Sequence, residues 1–375
     1  MTIRGAIGAG LLAALVPMCA VHAQYGGGGA REGGYLLQGI VDGELWSTDT
    51  LSRLLSRNDG SAATLGRLTL WGAAEPVTGW VLYAQGELTE GTARTPGEPA
   101  SELDLLGLRY TKSARAVFDA GKITYPVGAF AARRFSNRNP LIGQPDGYPV
   151  EYPLGAQISG VAKWLDYRAA VVSLPIYHDS YEPNPSAAAR PAFGIGVTPT
   201  IGVHLGASGT WGPYLNDGYT PAELGGSGRT WSDFHQRILA FDAAASRGYL
   251  ELHGELGRAW YDVPTIGNSS GTTGYAEAKY TLAPRWFVAA RAEVNDYPFI
   301  ASFAPGVWTA SRTDLNDYET GVGYRVGLST LLKVSYRWDK WDVTPQNYTF
   351  VRPGGKAIAV QVSQAFDVLD WFAPR

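Results

Sequence analysis

Residues 331–341 read LLKVSYRWDKW and alternate strictly between two kinds of side chain. Polar and charged side chains occupy every second position, at Lys333, Ser335, Arg337 and Asp339. Apolar and aromatic side chains fill the positions between them, at Leu332, Val334, Tyr336 and Trp338. Because successive side chains of a β-strand point to opposite faces, this period of two predicts a strand with one polar and one apolar face. A single such strand suits a soluble sheet as well as a membrane barrel.

The same alternation recurs through most of the chain, as in Tyr35–Trp46 and Arg285–Asn295. Segments of about ten residues with this pattern are typical of transmembrane barrel strands. Short turns such as Glu75–Gly79 alternate with long polar stretches, which include Asp262–Gly271 and Ile300–Thr313. The sequence therefore predicts an all-β fold, a single antiparallel transmembrane β-barrel of about 16 strands. Its short turns and both termini would be periplasmic, and its long loops external.

The first 23 of the 375 residues have the composition of a secretory signal peptide. Arg4 supplies the positive start, residues 5–15 are apolar, and Val21-His22-Ala23 is a small-residue cleavage site. Cys19, the only cysteine, lies in this segment, where a lipoprotein role is the alternative interpretation. Residues 24–34 form a Gly-rich leader and 35–375 the predicted barrel. The formal net charge of −3 lacks the basic footprint of a nucleic-acid-binding protein, and no cofactor or metal is implied.

Residues 121–153, GKITYPVGAFAARRFSNRNPLIGQPDGYPVEYP, interrupt the strand pattern with a long polar insertion. Loops of this length without secondary structure are uncommon in compact domains unless they carry function. We expect residues 127–152 to fold into the barrel and narrow it. The charged candidates for this constriction are Lys122, Arg133, Arg134, Arg138, Asp146 and Glu151. Alternatively, the arginines pair with acidic residues of the wall and only hold the loop in place.

Charged residues at alternating positions predict the polar inner face of the barrel. The candidates for this lumen wall are Glu251, His253, Glu255, Arg291, Glu293, Lys333, Arg337 and Asp339. Such a mixture of signs could create a transverse field across a water-filled channel. It could equally form a network of ion pairs that stiffens the barrel.

The octapeptide Gly121–Gly128, GKITYPVG, resembles a signature of the phosphate-selective porin O/P family, and the whole pattern resembles a Gram-negative outer-membrane porin. The resemblance implies passive diffusion of small hydrophilic solutes or inorganic anions, contact with outer-membrane lipid, and a homotrimer. It also implies that the third external loop, here residues 127–152, turns inward. Two features depart from the family: Phe372 is followed by Ala-Pro-Arg, and no dense Arg and Lys ladder is present. Phosphate specificity is therefore not transferred, and the basic excess of the insertion predicts only a mild preference for anions.

Two other functions stay open, a barrel enzyme that hydrolyses lipid or peptide and a scaffold or secretion partner. Gly267–Gly271, GNSSG, matches the nucleophile-elbow pattern around Ser269, but that elbow needs a strand before it and a helix after it. His253 and Glu255 form the closest approach to a catalytic pair, without a nucleophile beside them. Gly212–Ser232 is long enough for a binding surface. We expect a channel and not an enzyme.

Overall fold

The structure, a computed structural model, describes residues 34–49, 62–91, 100–145, 152–173, 189–200, 202–215, 217–343 and 355–369. Sixteen strands form one closed antiparallel barrel in which each strand pairs with the next and β1 pairs with β16. The strands are β1 (Tyr35–Thr48), β2 (Ala63–Val77), β3 (Trp80–Glu90), β4 (Ala100–Ser113), β5 (Ala116–Lys122), β6 (Leu154–Ala162), β7 (Leu165–Ser173), β8 (Ala189–Thr200), β9 (Val203–Pro213), β10 (His235–Arg247), β11 (Leu250–Val263), β12 (Gly267–Ala283), β13 (Trp286–Ala304), β14 (Val307–Arg325), β15 (Thr330–Val343) and β16 (Gly355–Asp367). The predicted fold class is confirmed.

The pleat of each strand sorts the side chains into an outer apolar face and an inner polar face. In β1, Val41 and Leu45 are 46% and 52% exposed on the outside, whereas Asp42 and Glu44 are buried on the inside. An apolar outer surface around a closed barrel is what a bilayer requires, because closure satisfies every strand edge. Inward charged side chains such as Asp42 and Glu44 therefore border the lumen, and the candidate functional site lies there.

Aromatic side chains mark both rims of the outer face, as expected where rings meet the membrane interface. Trp80, Trp164 and Trp286 are exposed beside the short turns, and Trp211 and Trp260 are exposed at the opposite end. Trp46 and Trp71 do not face the membrane. They point inward, where Trp46 Nε1 donates to Glu44 Oε2 at 2.8 Å and Trp71 packs against Phe135 with ring centroids 4.8 Å apart.

The prediction of long loops at Asp262–Gly271 and Ile300–Thr313 is wrong. β11 and β12 are joined by residues 264–266 only, and β13 and β14 by residues 305–306. These four strands continue beyond the external rim because the connection between β9 and β10 packs against them. The resulting external cluster consists of Tyr214, Leu215, Leu224, Phe234, Tyr261, Val263, Ile300 and Trp308. It holds the strand extensions together outside the membrane.

Two short 3₁₀ helices, Phe130–Arg133 and Trp231–Asp233, lie in connections. Within the described residues no helix is long and apolar enough to cross a membrane. The predicted signal peptide, residues 24–33 of the leader, and Phe372 lie outside the described residues. Asp146 and Glu151 of the predicted constriction also lie outside them.

Candidate functional site

The connection between β5 and β6 lies against the inner face of the barrel over residues 123–145, here called the lumenal segment. It begins on β7 and β8, where Ile123 and Tyr125 pack with Ala170, Val172 and Ala192. Its backbone then bonds to inward side chains of later strands: Gly128 N donates to Ser208 Oγ at 2.9 Å and Ala129 N to Glu255 Oε1 at 3.1 Å. Pro126 and Gly128 interrupt any regular strand here, and Gly128 has a φ of 80°.

Two neighbouring arginines of the lumenal segment reach opposite walls. Arg133 pairs with Glu277 on β12. Arg134 Nη2 lies 2.6 Å from Asp104 Oδ2 on β4, and Nη1 lies 3.6 Å from Glu87 Oε2 on β3. In the ring of strands, β12 lies opposite β3 and β4. Consecutive residues therefore connect opposite sides of the lumen.

Two charged residues of the wall bind the backbone of residues 136–143. Lys333 Nζ, on β15, donates to the carbonyls of Ser136, Asn139 and Leu141 at 3.0, 3.0 and 2.9 Å. On β14, Glu319 Oε1 accepts hydrogen bonds from Ile142 N at 3.1 Å and Gly143 N at 3.0 Å.

Gly143 permits this close approach, because an added Cβ would lie 2.5 Å from Glu319 Oε2. Each buried charge thus receives backbone partners that replace water.

Five of the eight predicted lumen-wall residues, Glu251, Arg291, Glu293, Arg337 and Asp339, take part in ion pairs. Arg291 is fully buried, and its guanidinium contacts Glu277 at 3.3 Å, Glu293 at 2.8 Å and Glu319 at 2.9 Å. Arg337 pairs with Asp317, and its Nε lies 3.4 Å from Asp339 Oδ1. Lys279 Nζ lies 2.6 Å from Glu251 Oε1.

Such contacts are compatible with the stiffening alternative, and both this alternative and the transverse-field hypothesis stay predictions.

Carboxylates outnumber cations on the inner face and the lumenal segment, counted over the described residues. The carboxylates belong to Asp42, Glu44, Glu87, Glu102, Asp104, Asp119, Asp166, Asp242, Glu251, Glu255, Glu277, Glu293, Asp317, Glu319, Asp339 and Asp367. The cations belong to Arg67, Arg109, Arg133, Arg134, Arg138, Arg168, Arg190, Lys279, Arg291, Arg325, Lys333 and Arg337. One arginine can form ion pairs with several carboxylates. The guanidinium of Arg67 lies 3.8 Å from Asp42, 3.6 Å from Glu44 and 3.3 Å from Glu87.

Not every predicted constriction residue joins this arrangement. The prediction that Lys122 belongs to the constriction is wrong. Lys122 pairs in register with Leu106, which is exposed on the outer face, and its ammonium donates to the carbonyl of Leu103. The reason is the pleat of β5, which directs Asp119 inward and the alternate position outward. Arg138 is exposed, and its Nη1 donates to Ala132 O at 3.2 Å.

The enzyme hypothesis receives no support from the position of Ser269. Ser269 lies inside β12, in register with Tyr261, and not in the polar loop that the sequence predicts or at a strand-to-helix turn. His253 and Glu255 share the inner face of β11, and Ala129 N occupies one Glu255 oxygen. In the part of the chain that the structure describes, no group of three or more His, Cys, Asp or Glu is arranged to hold a metal.

Sequence reasoning missed many of the inward charged residues, Glu277 and Glu319 among them. On β7, β9 and β10 it missed Asp166, Arg168, His204 and Asp242. Inward glycines lie beside them, Gly206 on β9 and Gly196 on the neighbouring β8, so the polar face has gaps and the alternation is weak. Two local signals could have found them. Asp166 and Arg168 are two residues apart, as expected for one face of a strand, and His204 directly precedes the outward Leu205.

No protein-family model matches the chain, and no curated protein sequence matches it. Among solved structures, it resembles an anion-selective porin from Comamonas acidovorans (TM-score 0.58, 10% identity, 88% of this chain and 99% of that chain). It also resembles OmpF of Salmonella typhi in complex with daunomycin (0.58, 12%, 89% and 98%). A mutant of Rh. blastica porin aligns over 88% of this chain and 100% of that chain (0.51, 13%). At these identities the likeness establishes the fold alone, a closed antiparallel barrel like that of these porins.

Proposed function

We propose that the chain is an outer-membrane porin through which small hydrophilic solutes and ions diffuse passively, in a barrel narrowed by the lumenal segment. The observation that carries this proposal is the bonding of the segment to opposite walls, through Arg133 to Glu277 and through Arg134 to Asp104. A segment bonded on both sides reduces the free cross-section and leaves charged groups beside the remaining path. Narrow, charged constrictions select solutes by size and sign.

We also propose a weak preference for cations, in place of the anion preference expected from the sequence. That expectation counted the arginines of the insertion as free charges. Arg133 and Arg134 are instead paired with carboxylates, and the inner face carries more carboxylates than cations over the described residues. A low-dielectric wall focuses the uncompensated charge onto the path, although salt at physiological strength screens it beyond about 8 Å.

Conductance of the purified protein in a planar bilayer tests the proposal. The wild-type protein should give stepwise conductance with a reversal potential that indicates cation preference. Replacing Arg133 and Arg134 together with Ala should raise both the conductance and the cation preference, because Glu277 and Asp104 each lose a neighbouring positive charge. Arg258→Ala is the matched control, because Arg258 lies on the outer face, 5.5 Å over the ring of Trp260. A barrel that never conducts would contradict the porin function.

The remaining expectations enter the proposal unchanged. The resemblance to the phosphate-selective porin O/P family, the homotrimer and the contact with outer-membrane lipid stay predictions. Transport without catalysis also stays a prediction, supported by the location of Ser269 inside β12.

A scaffold role is the second candidate, favoured by the external cluster, which packs residues 214–234 into a fixed surface at the outer rim.

A further inference from the structure

Two arginines on neighbouring strands, Arg237 on β10 and Arg258 on β11, point out of the barrel and are exposed. Leu239 and Leu256, which are exposed on the outer face, lie two residues from them on the same strands. In the register Arg258 is opposite Leu239, and Arg237 is opposite Trp260. The two arginines are therefore diagonal neighbours on one face, a separation of about 7–8 Å that long side chains can bridge.

The two arginines lie at the level of the external aromatic rim. In the register Arg237 lies between Trp211 of β9 and Trp260 of β11. Both tryptophans are exposed on the outer face, where such rings mark the membrane interface. Towards the short turns the same face becomes apolar, beginning with Leu256. The guanidiniums thus lie where the hydrocarbon region ends and the lipid headgroups begin.

Neither guanidinium has an ion pair with a carboxylate among the residues that the structure describes. Arg258 Nη2 lies 3.4 Å from Ser270 Oγ, and its Cζ lies 5.5 Å from the ring centroid of Trp260. Both of these partners are neutral. A guanidinium has five N–H donors, so most of the donors of Arg258 face outward without an acceptor from the barrel.

The carboxylates around the two arginines are already bonded. Those at this end of β10–β14 and in the turn before β10 that do not face the lumen are Asp233, Asp262, Asp296 and Asp314. Asp262 pairs with Arg229. Arg312 donates to both oxygens of Asp296 at 2.8 Å and lies 3.7 Å from Asp314. Asp233 accepts hydrogen bonds from Thr230 N and Oγ1 at 2.7 and 2.8 Å.

An anionic lipid headgroup supplies what this pair of guanidiniums lacks. A phosphate has several acceptor oxygens and matches the planar donor geometry of arginine, so one phosphate can bind both side chains. The acyl chains of such a lipid would lie on the apolar face below, over Leu239 and Leu256. A second copy of this chain is the poorer occupant, because contact through the same patch would bring four guanidiniums together.

We propose that Arg237 and Arg258, together with Trp211 and Trp260, form a binding site for the phosphate headgroup of a lipid in the outer leaflet; we call these four residues the lipid-phosphate site. The site lies outside the barrel, and neither guanidinium reaches the lumen. Lipid binding therefore goes beyond the porin function and does not depend on it. A barrel that binds the lipid but is silent in a bilayer would contradict the porin function alone.

Native mass spectrometry of the purified protein, released from detergent micelles with added lipid, tests the proposal. The two probes are dioleoyl phosphatidic acid and dioleoylglycerol, which differ only in the phosphate. The wild-type protein should retain phosphatidic acid and release dioleoylglycerol. Arg237→Gln and Arg258→Gln should each weaken the binding of phosphatidic acid about fivefold, and the double variant about 25-fold, as expected for basic side chains beside anionic lipid.

Two controls separate the lipid-phosphate site from a general effect of charge or folding. The double replacement of Arg237 and Arg258 with lysine keeps both charges, so it should bind phosphatidic acid more tightly than the double glutamine variant. Arg312→Gln is the matched control, an exposed arginine at the external end whose guanidinium is already bonded to Asp296, and it should leave lipid binding unchanged. Thermal unfolding followed by circular dichroism should show an intact barrel in every variant.

Three results would overturn the proposal: equal retention of both lipids by the wild-type protein, unchanged retention of phosphatidic acid by the double glutamine variant, or an equal loss in Arg312→Gln. Inorganic phosphate added in excess provides a further test. It should not displace the lipid, because it lacks the acyl chains that lie on the apolar face. Complete displacement would mean that the arginines bind a free anion, which also overturns the assignment to a lipid.

Discussion

Replacing Lys333 with Met should release the lumenal segment from the wall. The ammonium is buried, and it donates to three carbonyls of residues 136–141 at 2.9–3.0 Å. Methionine keeps most of the side-chain volume but leaves the three carbonyls without their donor. An unsatisfied buried acceptor costs about 1–3 kcal/mol, so the loss is about 3–6 kcal/mol if the three costs add incompletely. The equilibrium for local opening of the segment should then rise by a factor of about 10² to 10⁴.

Hydrogen exchange of residues 136–143, measured by mass spectrometry in detergent micelles, reports this opening directly. The amides of Ile142 and Gly143 should lose protection, while amides of the β-strands keep theirs. Lys279→Met is the matched control, because the Lys279 ion pair with Glu251 is partly exposed and such pairs contribute about 0–1 kcal/mol. Unchanged protection at Ile142 and Gly143 in Lys333→Met would refute the assignment of Lys333 as the main anchor. In the bilayer, the released segment should add fluctuations to the conductance.

Two further predictions concern the external side. Trp308→Ala should cost the external cluster about 3–5 kcal/mol, because it removes a buried ring whose Nε1 donates to Glu223 O at 2.7 Å. Hydrogen exchange of residues 217–234 should become faster, whereas the unfolding temperature of the barrel should equal that of the wild-type protein. An unchanged exchange rate would contradict the packing of Trp308 in the external cluster. Backbone and side-chain hydrogen bonds from Thr220 lower the pKa of Glu223 below its ordinary value of 4.5. The turn from Thr220 to Glu223 is therefore stabilised at pH values above 4.5, and it should lose order as the pH falls through the lowered pKa of Glu223. NMR titration of Thr220→Val should show a higher pKa for Glu223 than in the wild-type protein.

The strand pattern could be predicted because lipid and lumen impose opposite polarities on alternating positions. β15 is the clearest case, since Lys333, Ser335, Arg337 and Asp339 are all buried on the inner face as the alternation predicts. The extension of β13 and β14 past the rim could not be predicted in the same way. Outside the membrane neither face of a strand meets lipid, so Ile300–Thr313 lacks the pattern that marks a transmembrane strand. Packing against residues 214–234 keeps these strands ordered.

The candidate site could be predicted only in part. The alternation of side chains along β13 places Arg291 and Glu293 on the inner face, but it does not identify their partners on neighbouring strands. Arg133 and Glu277 are far apart in the sequence, and closure of the barrel brings them together. Asp166, His204 and Asp242 were missed because Gly196 and Gly206 occupy inward positions beside them, which interrupts the polar alternation in Ile195–Ser208.

The anchoring of the lumenal segment explains why it should stay against β14 and β15. Buried charges need partners in place of water, and on β14 and β15 the segment itself supplies them, with carbonyls for Lys333 and amides for Glu319. To leave that wall, the segment would have to give back these bonds and rehydrate both charges. Near the short turns, His204 and Asp166 instead keep contact with water. Water already hydrates the inner face near the short turns, so the narrowest part of the path should lie at the lumenal segment and not beside this mouth.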